Sequence, residues 1–204
     1  RPGDGKVPKK VAWIQCIGSR DVKEGNDYCS SVCCMYATKQ TIVAKEHENE
    51  LESTIFYIDM RSFGKGFESF YNRAKNENGT RYIRSQISSI KENPENENLI
   101  LRYTDSENGH GIVSEEFDLV VLSVGLVANE SIKETAEITG IQCNQFGFAG
   151  SQSSLPLLSS RDGIFLSGAV NGPKDIPETV MQSSAAAALC GQLLQEARGT
   201  EIAV

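Results

Sequence analysis

An α/β fold, built on a parallel sheet with an antiparallel meander set into it, is predicted by three observations. Apolar runs alternate with stretches of helical periodicity as far as residue 77. Short strand-like segments divided by turn signals follow from 81 to 117, and an Ala-rich helical stretch occupies 177–197.

The elements can be justified in order. Residues 1–8, basic and rich in Gly and Pro, read as a linker. Residues 11–17 (VAWIQCI) form a nearly continuous apolar run, the pattern of a strand buried on both faces. Residues 30–48 carry Val32, Met35, Tyr36, Ile42, Val43 and Ala44 at helical spacing, residues 54–60 (TIFYIDM) read as a second strand, and 65–77 as a second helix. Strand-helix-strand-helix implies parallel strands with right-handed crossovers. The segments RYIRSQISSI, NLILRYT and GIVSEEF, separated by Asn93-Pro94 and Asn108-Gly109, predict the meander, and residues 117–125 (FDLVVLSVG) a further buried strand. A helix over 130–139 with Gly140 as its C-cap, a strand over 163–170 (GIFLSGAV) and a helix over 177–197 complete the prediction. The domain division implied is a linker (1–8), a nucleotide-binding-like module (9–127) and a second domain (128–204), the transition lying near 126–142.

Composition excludes several classes. The 204 residues suffice for one large or two small cores, no apolar run approaches the roughly 20 residues of a membrane span, and the net charge of −7 opposes binding to nucleic acid or an anionic membrane. The opening RPGDGKVPKK has no apolar signal region and no Met, which suggests a piece of a longer protein and a cytoplasmic one. Six cysteines in a reducing compartment point to metal ligands or redox groups before structural disulfides.

Four of those cysteines fall between Gln15 and Lys39. Cys16 ends the first apolar run, while Cys29, Cys33 and Cys34 open the helical stretch that follows. Thiolate is the soft donor favoured by both iron-sulfur clusters and zinc, and a helix start stabilises it. Adjacent Cys33 and Cys34 would diverge by about 100° on a helix, awkward for tetrahedral zinc and compatible with a cuboidal cluster. Buried free thiols or a redox disulfide are the plainer readings. Cys143 and Cys190, isolated, read as small buried residues.

The first strand-helix turn lacks the G-x-G-x-x-G that lets pyrophosphate approach helix N–H groups; it offers Gly18 and a polar insertion carrying Gly25, so a nicotinamide site in the usual place is not expected. GIFLSGAVNGPKDIPETVMQSSAAAA, by contrast, has a strand ending in Gly168, a Gly/Pro loop and a helix start, an element suited to docking phosphate or flavin, although tight packing alone would account for it. His47 and His110 lie in polar surroundings and read as solvated, and neither a Ser/His/Asp set nor paired carboxylates are placed for acid-base work.

VAWIQCIGSRD, YCSSVCCMYATK, FYIDMRSFGKGFESFYNRAK, DLVVLSVG and GPKDIPETVMQSSAAAA together resemble the flavin-containing A subunit of heterodisulfide reductase and its relatives in anaerobic microbes. The resemblance implies a thioredoxin-reductase-like architecture: a Rossmann-like three-layer module over 9–127, carrying a 4Fe-4S cluster where the nicotinamide would bind, and the C-terminal part of a split FAD-binding domain over 128–204. Carried over position by position, it makes Cys16, Cys29, Cys33 and Cys34 the cluster ligands. Gly125, Gly168, Ala169 and the loop Gly172, Pro173, Lys174, Asp175, Ile176, Pro177 and Glu178 become the flavin side, with Lys39 facing the isoalloxazine. It further implies electron transfer between flavin and iron-sulfur centres, in the family linked to bifurcation, with other reductase subunits and electron-transfer proteins as partners and a homodimer among the assemblies. Two departures follow. Ala169 stands where the flavoprotein superfamily carries an acidic residue, and the N-terminal half of an FAD domain, with its glycine fingerprint, is not among these residues, so they are expected to hold FAD weakly or not at all and to lose a cluster in air.

Two other readings compete. A plain NAD(P)H-dependent disulfide reductase would use a redox cysteine pair, normally C-x-x-C, where this chain has C-x-x-x-C-C. A non-catalytic zinc or interaction module would need the thiols and no flavin loop.

Overall fold

A computed structural model describes residues 1–105, 109, 111–152 and 154–197. The chain divides into two compact units, residues 1–21 with 32–125, and residues 22–31 with those from 126 onward. The break lies between Gly125 and Leu126, at the N-terminal edge of the 126–142 span. The excursion of residues 22–31 into the second unit departs from a module continuous over 9–127.

The first unit is organised on strand β1 (Lys10–Ile17). It pairs in parallel with β2 (Glu52–Tyr57) on one side and β7 (Leu119–Val124) on the other, and β3 (Arg81–Arg84) extends β2, giving a four-stranded parallel sheet in the order β3-β2-β1-β7. Helices α1 (Cys33–His47) and α2 (Phe67–Asn76) make the connections that parallel neighbours require. Strands β4 (Ile87–Glu92), β5 (Leu99–Asp105) and β6 (Gly111–Phe117) form a separate antiparallel sheet.

Alternation along β1 explains the nearly continuous apolar run. Ala12 and Ile14 enter a core with Phe56, Ile83, Leu101, Tyr103 and Phe117, shared with the antiparallel sheet. Val11 and Trp13 enter a second core with Ala37, Leu51 and Ile55, shared with α1. The unit therefore has three layers, and its central strand is buried from both sides. Phe56 joins the layers on the meander side, 4.8 Å from the Tyr103 ring and 6.0 Å from that of Phe117.

Three expectations need correction. RYIRSQISSI is not one meander strand: Ile83, buried beside Phe56, commits residues 81–84 to the parallel sheet, and the chain breaks at Ser85 before β4 begins. Residues 1–8 are not a free linker. Arg1 hydrogen-bonds Asp4 and, at 2.6 Å, Asn98, and this packs the segment on the first unit. Residues 163–170 do not form a strand either. Gly163 turns with φ 79°, a single bridge joins Phe165 to Leu158, and Gly168–Asn171 is a 3-10 turn.

The second unit holds α3 (Glu130–Thr139), a hairpin of β8 (Ser151–Gln152) and β9 (Leu155–Ser159), and α4 (Ile176–Ala197). Asn129 caps α3 by accepting from the Ser131 N–H at 2.9 Å, and Gly140 closes it at φ 71°. Tyr28 anchors the excursion within this unit, its ring tilted against that of Phe146 with centroids 4.7 Å apart and its hydroxyl donating to the Leu126 carbonyl at 2.8 Å, while Ser30 Oγ accepts from the Leu126 N–H. Asn108 and His110 lie outside the described residues; His47 is exposed.

Truncating Phe56, which bridges two layers at 1% exposure, is expected to cost about 3–5 kcal/mol. Phe63→Ala, at 70% exposure, should stay within about 0.5 kcal/mol. Urea unfolding followed by circular dichroism measures both, and similar midpoints for the two variants would contradict this layering.

Candidate functional site

Strand β1 does not run out straight. Its pairing with β7 slips between Ile14 and Ile17, and Cys16 in the slip adopts φ 62°, a left-handed conformation that a residue with a Cβ rarely takes. Gly18 (φ 69°) and Arg20 (φ 57°) continue the turn, and the Ser19 N–H closes it on the Cys16 carbonyl at 3.3 Å. The connection to α1 is therefore a long loop in place of a tight phosphate-binding turn. Helix α1 then starts at Cys33 with no side-chain cap on Val32 and no acidic residue in its first turn, so its N-terminal N–H groups and dipole are left to whatever anion lies there.

Cys33 and Cys34 are 1% and 4% exposed. Hydrogen bonds from the Cys16 and Cys34 thiols hold the Cys33 thiol well below its usual range despite burial, and the same contact with Cys33, together with burial, pushes Cys34 up. Cys34 also donates to the Asp59 carbonyl at 3.7 Å. Cys16, Cys33 and Cys34 thus come together in the first unit. Cys29 belongs to the excursion, in the second unit, where its sulfur accepts from the Ser31 N–H at 3.3 Å. None of the six cysteines is in a disulfide, and among the described residues no three His, Cys, Asp or Glu side chains are spaced as a ready-made metal-ion site. The donor chemistry nonetheless fits a thiolate-held cluster: soft, mutually hydrogen-bonded sulfurs at an uncapped helix start. Cys143 and Cys190, expected to be buried, are exposed, one beside a loop bridge to Ala149 and the other on α4.

The neighbouring strand end carries an engaged carboxylate. Asp59, just beyond β2, accepts from Arg20 at 2.9 Å and from Arg84 at 3.2 Å, and the Arg20 hydrogen bond holds its carboxyl below the usual range. With both arginines on it, Asp59 serves as a brace between three strand ends. Lys39 is exposed on α1, in a shallow groove with Trp13, Tyr36, Gln40, Val43 and Val121.

In the second unit the expected flavin-side residues cluster around the start of α4. Gly168 has φ 71°, and a Cβ there would lie 2.9 Å from Thr179 Cγ2, so only glycine fits; its N–H donates to Gln182 Oε1 at 3.0 Å. Ala169 sits in the 3-10 turn, and after Gly172 and Pro173, Lys174 donates to Asn171 Oδ1 at 2.5 Å, with burial pulling its ammonium below the usual value. Asp175 and Glu178 form a reciprocal capping box across Ile176 and Pro177: Glu178 N–H to Asp175 Oδ1 at 2.7 Å, Asp175 N–H to Glu178 Oε2 at 3.2 Å. Gly125 stands apart in the first unit, where its N–H donates to the Ile17 carbonyl at 2.8 Å.

A buried polar layer under α1 has no counterpart among the sequence-predicted site residues. Gln15 on β1 and Ser123 on β7 are 6% and 0% exposed, and the Gln15 amide reaches Ser123 Oγ at 3.1 Å. Tyr36 donates to the Val124 carbonyl at 2.8 Å, and Ser123 lies near enough to act on its phenol. A polar residue inside each of two apolar runs was the available signal.

No family model matches the chain. Its similarity to curated proteins is extensive. It is 47% identical to the second iron-sulfur A subunit of the CoB–CoM heterodisulfide reductase of Methanopyrus kandleri, over 92% of this chain and 29% of that protein. Against the A subunit of the H(2)/formate:CoB-CoM heterodisulfide,ferredoxin reductase of Methanococcus maripaludis it is 45% identical, over 92% of this chain and 29% of that one. The chain is a homologue of one stretch of the heterodisulfide reductase A subunit. It spans under a third of the length of these relatives. The fold is also that of a segment of LpdA from Mycobacterium tuberculosis, with a TM-score of 0.50 and 17% identity over 92% of this chain and 35% of that one. Among the described residues no helix is long and apolar enough to cross a membrane.

The capping box predicts a measurable cost. Asp175→Ala should lose about 1 kcal/mol, and adding Glu178→Ala should cost less than the sum of the two single changes because each side chain serves the same turn. Thermal unfolding of the singles and the double tests this; strict additivity would show that the two caps act independently.

Proposed function

We propose that this chain is the cluster-bearing, nucleotide-fold stretch of a heterodisulfide-reductase-type A subunit, and that it passes electrons between a flavin and iron-sulfur centres. One observation carries the reading. Three thiols meet at a left-handed kink and an uncapped helix start, in the place where a nucleotide fold would receive a phosphate. The words "iron-sulfur subunit" in the names of the relatives support the same assignment.

Cys16, Cys33 and Cys34 would hold a 4Fe-4S cluster together with Cys29, which is only four residues from Cys33 along the chain and so within about 14 Å at full extension. The cluster, when bound, supplies one-electron exchange. The N–H groups at the start of α1 would offset its negative charge. On the flavin side Gly168 and Ala169 would leave room for close backbone approach, and the loop from Gly172 to Glu178 would present Lys174 while its two carboxylates stay in the cap. Gly125 and Lys39 complete the proposed set, Lys39 toward the isoalloxazine. Other reductase subunits and electron carriers would be the partners, and the setting cytoplasmic.

The full polypeptide, purified and reconstituted without oxygen, is expected to hold about four iron and four sulfide per chain, with an EPR signal on reduction that is lost in Cys33→Ser and kept in Cys143→Ser. Stoichiometric zinc in place of iron would overturn the assignment in favour of a zinc module. Rapid NADPH oxidation that survives loss of the cluster would favour a plain disulfide reductase.

A further inference from the structure

The polar layer beneath α1 is left unexplained by folding. Gln15 and Ser123 lie on the α1-facing side of the sheet: Gln15 continues the alternation of Val11 and Trp13, and Ser123 that of Leu119 and Val121, all of which pack in the α1 core. Each interrupts a run that could have been wholly apolar. Ser123 holds one end of the Gln15 amide and also meets Tyr36, which in turn is fixed to the Val124 carbonyl. The other end of the amide, Oε1 as placed, is buried and has no hydrogen-bond partner among the described residues. Turning the amide over exchanges its nitrogen and oxygen and leaves one terminus unsatisfied either way. A buried polar terminus without a partner is destabilising, a burden that a structural role does not justify on an interior strand.

A neighbouring anion would satisfy it. Gln15 directly precedes Cys16, and Tyr36, at the far side of the layer, lies near enough to Cys33, Cys34 and Cys16 for their charges to act on its phenol. An amide facing anionic sulfur turns its N–H₂ toward it, and Ser123 can then serve the oxygen as donor. We propose that Gln15 is a positioning residue of the thiolate site, donating a hydrogen bond to a ligand sulfur or cluster sulfide, and that Ser123 and Tyr36 lock its amide in that orientation. This rests on the cluster assignment above. A donor to sulfur stabilises the more negative, reduced form, so the bond would raise the potential of the centre.

The test uses the full polypeptide, loaded and titrated without oxygen. Gln15→Leu is expected to keep the iron and sulfide content of the unmodified protein, while the ratio of reduced to oxidised centre at a fixed potential falls about tenfold, a shift of about 59 mV for one electron. Ser123→Ala, which frees the amide without removing it, should shift the same way by less. An unchanged midpoint and EPR line shape in iron-loaded Gln15→Leu would overturn the role of Gln15 and leave the cluster assignment standing. No iron in the unmodified protein would overturn both. If Gln15→Leu fails to hold iron, Ser123→Ala decides the matter, an unmoved potential there being a refutation.

Discussion

The burial of β1 on both faces is the constraint from which the rest follows. A strand packed between α1 and an antiparallel sheet cannot slide or rotate, because a one-residue slip would exchange Ala12 and Ile14 with Val11 and Trp13 between two differently shaped cores. Its C-terminal end is therefore held in place, and the irregularity there is local. Placing Cys16 at φ 62° costs about 1 kcal/mol or more for a residue with a Cβ, which is tolerated only because the strand before it and the bond from Gly125 to Ile17 after it fix both ends. The kink brings the Cys16 thiol to the start of α1.

That geometry also accounts for what the site has given up. A dinucleotide fold needs glycines at the first turn for phosphate approach and a free carboxylate beyond the second strand for ribose. Here the turn is a long loop whose residues 22–31 belong to the second unit, and Asp59 is engaged by Arg20 and Arg84. Both nucleotide contacts are removed, while the one feature useful to any anion, an uncapped helix start, is retained beside three thiols.

Much of this was legible in the residues, for identifiable reasons. The double burial of β1 shows as a nearly continuous apolar run, and α3 is marked at both ends by Asn129 and Gly140, whose chemistry is local. What failed depended on tertiary partners. Whether residues 81–84 join the parallel sheet or the meander is decided by Ile83 meeting Phe56 across the sheet, and periodicity within the segment carries no trace of that. GIFLSGAV is apolar enough for a strand, yet positive φ at Gly163 and Gly168 breaks it. Residues 22–31 look like a polar insertion until Tyr28 is seen against Phe146 and Phe148. The cysteines were visible by chemistry; Gln15 and Ser123 were visible too, as lone polar residues in core strands, and acquire meaning only when their facing partner is known.

The loop before α4 carries a similar lesson for motifs. GPKDIPE stands out in sequence, and the obvious inference is that its charged residues face a ligand. The hydrogen bonds divide them. Asp175 and Glu178 are engaged by each other's backbone N–H groups, and Thr179 bonds back to the Asp175 carbonyl at 2.8 Å, so the acidic half of the motif is a helix-starting device. Its effect is to make the loop rigid at one end. Gly168 is tied to Gln182 and Lys174 to Asn171 at the other. A loop pinned at both ends loses little entropy on meeting a ligand, and Lys174, partly desolvated and held by a neutral amide, keeps its charge available to an anionic group. Recognition by this element would therefore rest on Lys174 and the backbone around Gly168 and Gly172, with the carboxylates acting only through the geometry they impose.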